Sequence, residues 1–132
     1  MPPTIECVDH IHVYVADRKA AEKWYADVLD FKRIAELEFW AADDGGPLTI
    51  GNTAGTVHIA LFQRPALPCR SVVAFGVSAD GFLAWRTHLA QVFGKEIEIF
   101  DHDVSWSLYF SDPDGNPFEI TSHQYAAIAS QL

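Results

Sequence analysis

At 132 residues the chain is long enough for one domain or two small half-domains, and 49% hydrophobic content suffices for a packed core, which excludes a disordered chain. Lys and Arg number 9 against 18 Asp and Glu; the net charge of −9 excludes nucleic acid as a partner and is compatible with a cationic ligand, although solubility alone accounts for it. No apolar run is long enough to span a bilayer and no basic-then-apolar leader opens the chain, so the expectation is a soluble, cytoplasmic protein without membrane partners.

Ile5 to Val15 alternates and is rich in β-branched and aromatic residues, which predicts a strand. Asp17 then caps a helix running to about Leu29, with Ala21, Trp24, Tyr25 and Val28 as its apolar stripe. Phe31 to Trp40 reads as extended, and Asp43-Asp44-Gly45-Gly46-Pro47 as a turn. Strands follow at Leu48 to Ile50 and Thr56 to Phe62, separated by the turn Gly51 to Gly55. Arg64-Pro65-Ala66-Leu67-Pro68 reads as a linker, because its prolines remove donors and favour extended backbone. The order then repeats. Arg70 to Val77 is a strand, and Asp80 to Phe93 a helix with Phe82, Trp85, Leu89 and Phe93 inward, ended by Gly94. Glu96 to Phe100 and Ser105 to Phe110 are strands, Asp112 to Asn116 a turn, Pro117 to Thr121 the last strand, and Tyr125 to Leu132 a short terminal helix. Cys7 and Cys69 form no CxxC pair and read as buried or half-buried thiols of a reducing compartment, with a disulfide left open.

Both halves therefore have the order βαβββ, one in residues 1–66 and one in 67–132. Landmarks coincide: Cys7 lies three residues before His10 as Cys69 does before Val72, and Val13 and Val15 line up with Phe75 and Val77. Such a half cannot bury both faces of its sheet alone, so the two should pair.

Two segments carry chemistry. Asp9-His10-Ile11-His12-Val13-Tyr14-Val15 places His10 and His12 on one strand face by the period of two. Asp112-Pro113-Asp114-Gly115-Asn116-Pro117-Phe118-Glu119-Ile120 is a tight turn that delivers a carboxylate onto a strand, facing opposite to Phe118 and Ile120. His58, in Val57-His58-Ile59-Ala60-Leu61, reads as the first-half counterpart of Glu119; packing beside Phe62 is the bland alternative. Trp40 and Trp106 fall in expected strands, as cavity lining or as sheet core. His88, His102 and His123 read as surface residues without a role.

On Asp9-His10-Ile11, on Trp24-Tyr25 through Val28-Leu29-Asp30-Phe31, and on the stretch from Asp112 to Glu119, the chain resembles the vicinal oxygen chelate superfamily. That superfamily includes glyoxalase I, extradiol dioxygenases, fosfomycin-resistance proteins and bleomycin-resistance proteins. The resemblance spans nearly the whole chain, with Asp30 standing where many relatives carry glycine. It implies an α+β fold of two paired βαβββ modules whose curved mixed sheets form a trough, a divalent metal held by first- and last-strand residues, and sites that often form across a homodimer.

By that resemblance His10 and Glu119 match the metal histidine and the closing metal glutamate. The departure is Val72, where metal-binding relatives often place a second histidine. His58 is then the expected third ligand, giving His10, His58 and Glu119, a set suited to Fe, Mn, Zn or Ni. His12 and Tyr14 are the expected proton-handling residues. The leading reading is a metal-dependent lyase or dioxygenase of the glyoxalase type, acting on a small substrate with vicinal oxygens. The alternative is a metal-free, bleomycin-resistance-like protein binding a cationic or aromatic small molecule.

Overall fold

The computed structural model describes residues 1–65, 69 and 71–132. The chain divides into two compact units, Met1–Leu67 and Pro68–Leu132. In the expected linker, Ala66, Leu67 and Pro68 lie outside the described residues, as does Arg70 at the head of the expected fifth strand.

In the first unit, strand β1 is Ile11–Val15, helix α1 Arg18–Leu29, β2 Lys32–Arg33, β3 Leu48–Gly51 and β4 His58–Gln63, with a 3₁₀ helix over Ala35–Ala42. The sheet order is β1-β4-β3-β2, with β1 parallel to β4 and the remaining pairs antiparallel. Val13, Val15, Leu48, Ile50, Ile59 and Leu61 are buried, as are Tyr25, Val28 and Leu29 of α1, which packs over β3 and β4. The alternation that predicted the strands thus separates an apolar face, under the helix, from the face carrying His12, Thr49, His58 and Phe62.

In the second unit β5 is Val73–Gly76, α2 Ala79–Phe93, β6 Phe100–Asp101, β7 Trp106–Ser111, β8 Pro117–Ser122 and α3 Tyr125–Ala129. The sheet order β5-β8-β7-β6 repeats that of the first unit, with β5 parallel to β8. Phe118 stacks between Phe75 and Phe110, each ring 5.6 Å away, beside buried Leu108 and Ile120. Phe82 and Leu89 of α2 are buried, while Trp85 and Phe93 are only half-buried.

The repeat extends to the helix caps. Asp17 accepts the Ala20 amide at 3.0 Å and Ser78 accepts that of Gly81 at 3.1 Å. A glutamine carbonyl then takes the first helical N–H in each unit: Gln63 that of Arg18 at 2.9 Å, Gln124 that of Ala79 at 2.7 Å. Both helices end in a left-handed residue, Asp30 at φ 56° and Gly94 at φ 63°. Glycine fits that conformation without a Cβ clash; aspartate does not, and tolerates it less well.

Several expectations need correction. The first strand begins at Ile11 rather than Ile5, so His10 stands just ahead of it. Residues Phe31 to Trp40 are not one extended stretch: a two-residue strand gives way to the 3₁₀ helix. Leu37, Phe39 and neighbouring Ala and Glu alternate like a strand, but Ala, Glu and Leu are strong helix formers, and the Leu37 amide closes a turn on the Ile34 carbonyl at 3.0 Å. The strand expected over Glu96–Phe100 contracts to Phe100–Asp101. Cys7 and Cys69 are exposed free thiols, because neither lies in a packed element. Among the described residues no helix is long and apolar enough to cross a membrane.

Candidate metal and substrate site

The pocket face of the first unit opens onto a cavity of about 500 Å³. Its polar corner is Asp9, His10, His12 and His58; its walls are Leu37, Trp40, Pro47, Ala60 and Phe62. Register explains the gathering. His12 pairs with Ala60 and Tyr14 with Phe62 across β1 and β4, while Thr49 pairs with Ala60 and Gly51 with His58 across β3 and β4. Trp40 comes from the 3₁₀ helix, not from a strand as the sequence suggested. The wall behind it is held by Arg18, whose guanidinium donates to the carbonyls of Ala41 at 2.7 Å, Gly46 at 2.6 Å and Asp43 at 3.1 Å.

His10 and His12 meet. Their Nε2 atoms are 3.0 Å apart and their ring planes lie 25° from parallel, while His10 Nδ1 donates to the Asp9 carboxylate at 2.8 Å. With Nδ1–H given to Asp9, the Nε2 of His10 is turned to the Nε2 of His12, and one hydrogen lies between the two ring nitrogens. The His12 ring rests against Phe62 at 4.7 Å. Tyr14 continues the same face but is 48% exposed, with its ring edge-on to Phe62 at 6.2 Å, so Phe62 and not Tyr14 borders the cavity.

His58 is half-buried and lies against β3. Its Cδ2 is 3.1 Å from where a Cβ on Gly51 would stand, and the Val57 carbonyl 2.8 Å, so no larger residue fits there. His58 is not the register counterpart of Glu119. Val13 pairs with Leu61 and its counterpart Phe75 with Ile120, which makes Ala60 the equivalent of Glu119 and His58 that of Pro117. The slip is of two residues, so His58 still faces the cavity.

Glu119 belongs to the second unit. The Asp112 carboxylate fixes its register: Oδ1 accepts the amides of Asp114 and Asn116 at 2.9 Å each, and Oδ2 accepts from Asn116 Nδ2 at 2.8 Å. That closed turn pairs Ser111 with Pro117 and hence Tyr109 with Glu119. Ser107 Oγ donates to Glu119 Oε1 at 2.6 Å, and the Tyr109 hydroxyl lies 3.4 Å from the same oxygen. Partial desolvation, then the Glu119 carboxylate, raise the Tyr109 phenol above its ordinary value, so it stays a donor through neutral pH. His102 Nε2 lies 3.2 Å from the Tyr109 hydroxyl, which ties this histidine, expected to be idle, into the same group. Val72, just ahead of β5, is 48% exposed. Trp106 is half-buried and does not line the cavity of the first unit; its indole N–H is on the Tyr125 carbonyl and its ring is stacked on Tyr125 at 5.3 Å.

Sequence reading alone missed Asp9, Leu37, Pro47 and Thr49 in the cavity, and Ser107 and Tyr109 beside Glu119. The last two were accessible in principle, because a closed turn after β7 dictates which residues oppose Glu119. Among the described residues no group of three or more His, Cys, Asp or Glu side chains stands together as a metal-holding set.

The family model of the Glyoxalase/Bleomycin resistance protein/Dioxygenase superfamily matches residues 8–120, from just before the histidine pair to just past Glu119. The chain belongs to this superfamily. It is 28% identical over 127 residues to the metallothiol transferase FosB of Staphylococcus epidermidis, covering 88% of this chain and 81% of that protein. Its fold is that of a putative glyoxalase-family protein from Bacillus anthracis, with TM-score 0.71 and 22% identity over 94% of this chain and all of that one. The fosfomycin resistance protein FosX of Listeria monocytogenes, solved with Mn(II) and sulfate, shares the fold at TM-score 0.67 and 14% identity, over 97% of this chain and 98% of that one. As a superfamily member the chain carries the two βαβββ units expected from its repeat, each with a four-stranded mixed sheet.

Proposed function

We propose that this protein is a small metal-dependent enzyme of the glyoxalase type, and that it converts a compact, largely apolar substrate bearing two neighbouring oxygens. The observation that carries the reading is the cavity of the first unit, where three imidazoles meet walls of Leu37, Trp40, Pro47 and Phe62. A divalent ion bound there supplies Lewis-acid polarisation of the substrate oxygens.

The residues present fit such an ion in part. His10 is oriented as metal histidines generally are, with its other nitrogen donating to a carboxylate. Glu119 is the proposed carboxylate donor, of this chain or of a second copy in a homodimer; the hydroxyls of Ser107 and Tyr109 converge on Oε1, leaving Oε2 as the donor atom. One nitrogen must replace the histidine that Val72 omits. His58 is the candidate from the sequence, and His12, with its Nε2 3.0 Å from that of His10, is the stronger one. His58, held over Gly51 at the cavity wall, then faces the substrate and is placed to take or return a proton. The relatives named for fosfomycin resistance suggest a small substrate, but the cavity lining of this chain holds no Lys or Arg among the described residues, so a phosphonate dianion finds no counter-charge there.

A second reading, a metal-free binder of an aromatic molecule, is favoured by Val72 and by the lack of a three-residue metal set among the described residues. Screening metal-loaded and metal-free protein against vicinal diketones, hemithioacetals and catechols separates the two. Turnover abolished by chelator and restored by one added ion supports the enzyme; ligand affinity unaffected by chelator, without turnover, supports the binder.

A further inference from the structure

The geometry points to His10 and His12 as a two-nitrogen clamp for the divalent ion, with His12, not His58, supplying the nitrogen that Val72 cannot. This rests on the metal-dependent reading above.

Two nitrogens bound to one ion at about 2.0–2.1 Å, with an angle between about 90° and 110° at the metal, stand roughly 2.9–3.4 Å apart. The Nε2 atoms of His10 and His12 are 3.0 Å apart. The ring centroids are 5.0 Å apart, so the rings converge toward their Nε2 ends. An ion bound by both nitrogens would displace the hydrogen between them and sit to one side of the line that joins them, so each ring must turn to aim its lone pair at the ion while the Nε2 separation is kept. The alternation of a strand produces this arrangement, because residues two apart point to the same face.

Asp9 completes the clamp. Its carboxylate holds His10 Nδ1–H and so commits Nε2 to the cavity. Metal-binding histidines are commonly fixed this way, and the fixing residue is functionally important. His12 is held from its other side by the Phe62 ring.

His58 is built differently. β4 lies between β1 and β3, and the His58 ring edge leans over Gly51 on β3, the side away from His10 and His12. Reaching an ion at the clamp would require the ring to leave that seat. Its position suits a wall residue.

The test uses tag-free, full-length protein and Zn(II) or Co(II) as the probe. Zn(II) affinity is measured by calorimetry, and the visible absorption of bound Co(II) reports loss of a nitrogen donor independently of activity. His10→Ala and His12→Ala are expected to weaken Zn(II) binding by about 100-fold or more, and Asp9→Asn by about 10–100-fold. His58→Ala should change affinity by less than about 3-fold and leave the Co(II) spectrum in place, since it removes no donor. His12→Gln, close in size, guards against a packing artefact and should lose the metal like His12→Ala. Wild-type binding that survives His12→Ala and His12→Gln but is lost in His58→Ala overturns the clamp while leaving the metal-dependent reading intact. A wild-type protein that takes up neither ion overturns both.

Discussion

Replacing Asp112 by alanine should strongly destabilise the second unit, because one buried carboxylate closes the whole turn before β8. Asp112 is 4% exposed and accepts three N–H groups at 2.8–2.9 Å. Asp114 is half-exposed and its amide can turn to water, but Asn116 is 7% exposed, and its backbone N–H and side-chain NH₂ both lose the carboxylate. Hydrogen bonds to a charged group contribute about 1.5–3 kcal/mol each, so the two at Asn116 put the loss at about 3–6 kcal/mol. Asp112→Asn keeps an oxygen for the two amides but sets one NH₂ against another, and should cost about 1–2 kcal/mol. Urea unfolding followed by tryptophan fluorescence reads this directly. With a slope of about 2 kcal/mol per molar, the alanine midpoint falls by about 1.5–3 M. A fall of less than about 0.3 M would show that the turn is not held by this carboxylate, and the account of Glu119's register would fail with it.

Asp30→Gly should stabilise the first unit by about 0.5–1 kcal/mol in the same assay, because it relieves a left-handed aspartate at the end of α1 and gives up only the exposed ion pair with Lys32. Gly51→Ala should displace the Val57 carbonyl as well as the His58 ring and weaken binding of any cavity ligand more than that of Zn(II), checked by paired titrations. The bidentate Arg33 contact, chiefly its hydrogen bond, holds the Glu22 carboxyl below its ordinary value. A lowered folded value means the contribution is fully present above the ordinary carboxylate range and is lost as pH falls through the lowered value. Glu22→Gln should therefore lower thermal stability slightly at neutral pH, by under about 1 kcal/mol for so exposed a pair, and make no difference in strong acid. Arg18→Ala should loosen the loop behind Trp40, visible as faster amide exchange over residues 41–46 with little change at β1.

Legibility in the sequence followed the physics of each element. The alternation of His12, Val13, Tyr14 and Val15 predicted both the strand and the face that carries the imidazoles, because a strand's period leaves no other choice. The turn at Asp112–Asn116 was legible for the same local reason, since its hydrogen bonds are made within five residues. The 3₁₀ helix was not: Leu37 and Phe39 alternate like a strand, and packing against β3 adds to the helix propensity of Ala, Glu and Leu to select the helical turn. Nor was the true counterpart of Glu119, because aligning two divergent strands by eye preserves the face but not the register, and Ala60 rather than His58 stands there. The approach of the His10 and His12 Nε2 atoms depends on rotamers, which no pattern of residues encodes.

The central claim is that the imidazole corner of the first unit holds a divalent ion. Elemental analysis of tag-free protein, purified without chelator, offered Fe, Mn, Ni and Zn in turn and then dialysed, tests it most directly. The account predicts about one ion per chain for at least one of these metals in the wild type, and none retained by His10→Ala. A wild-type protein that retains no ion above the dialysis buffer would contradict it and leave the metal-free binder as the reading of this site.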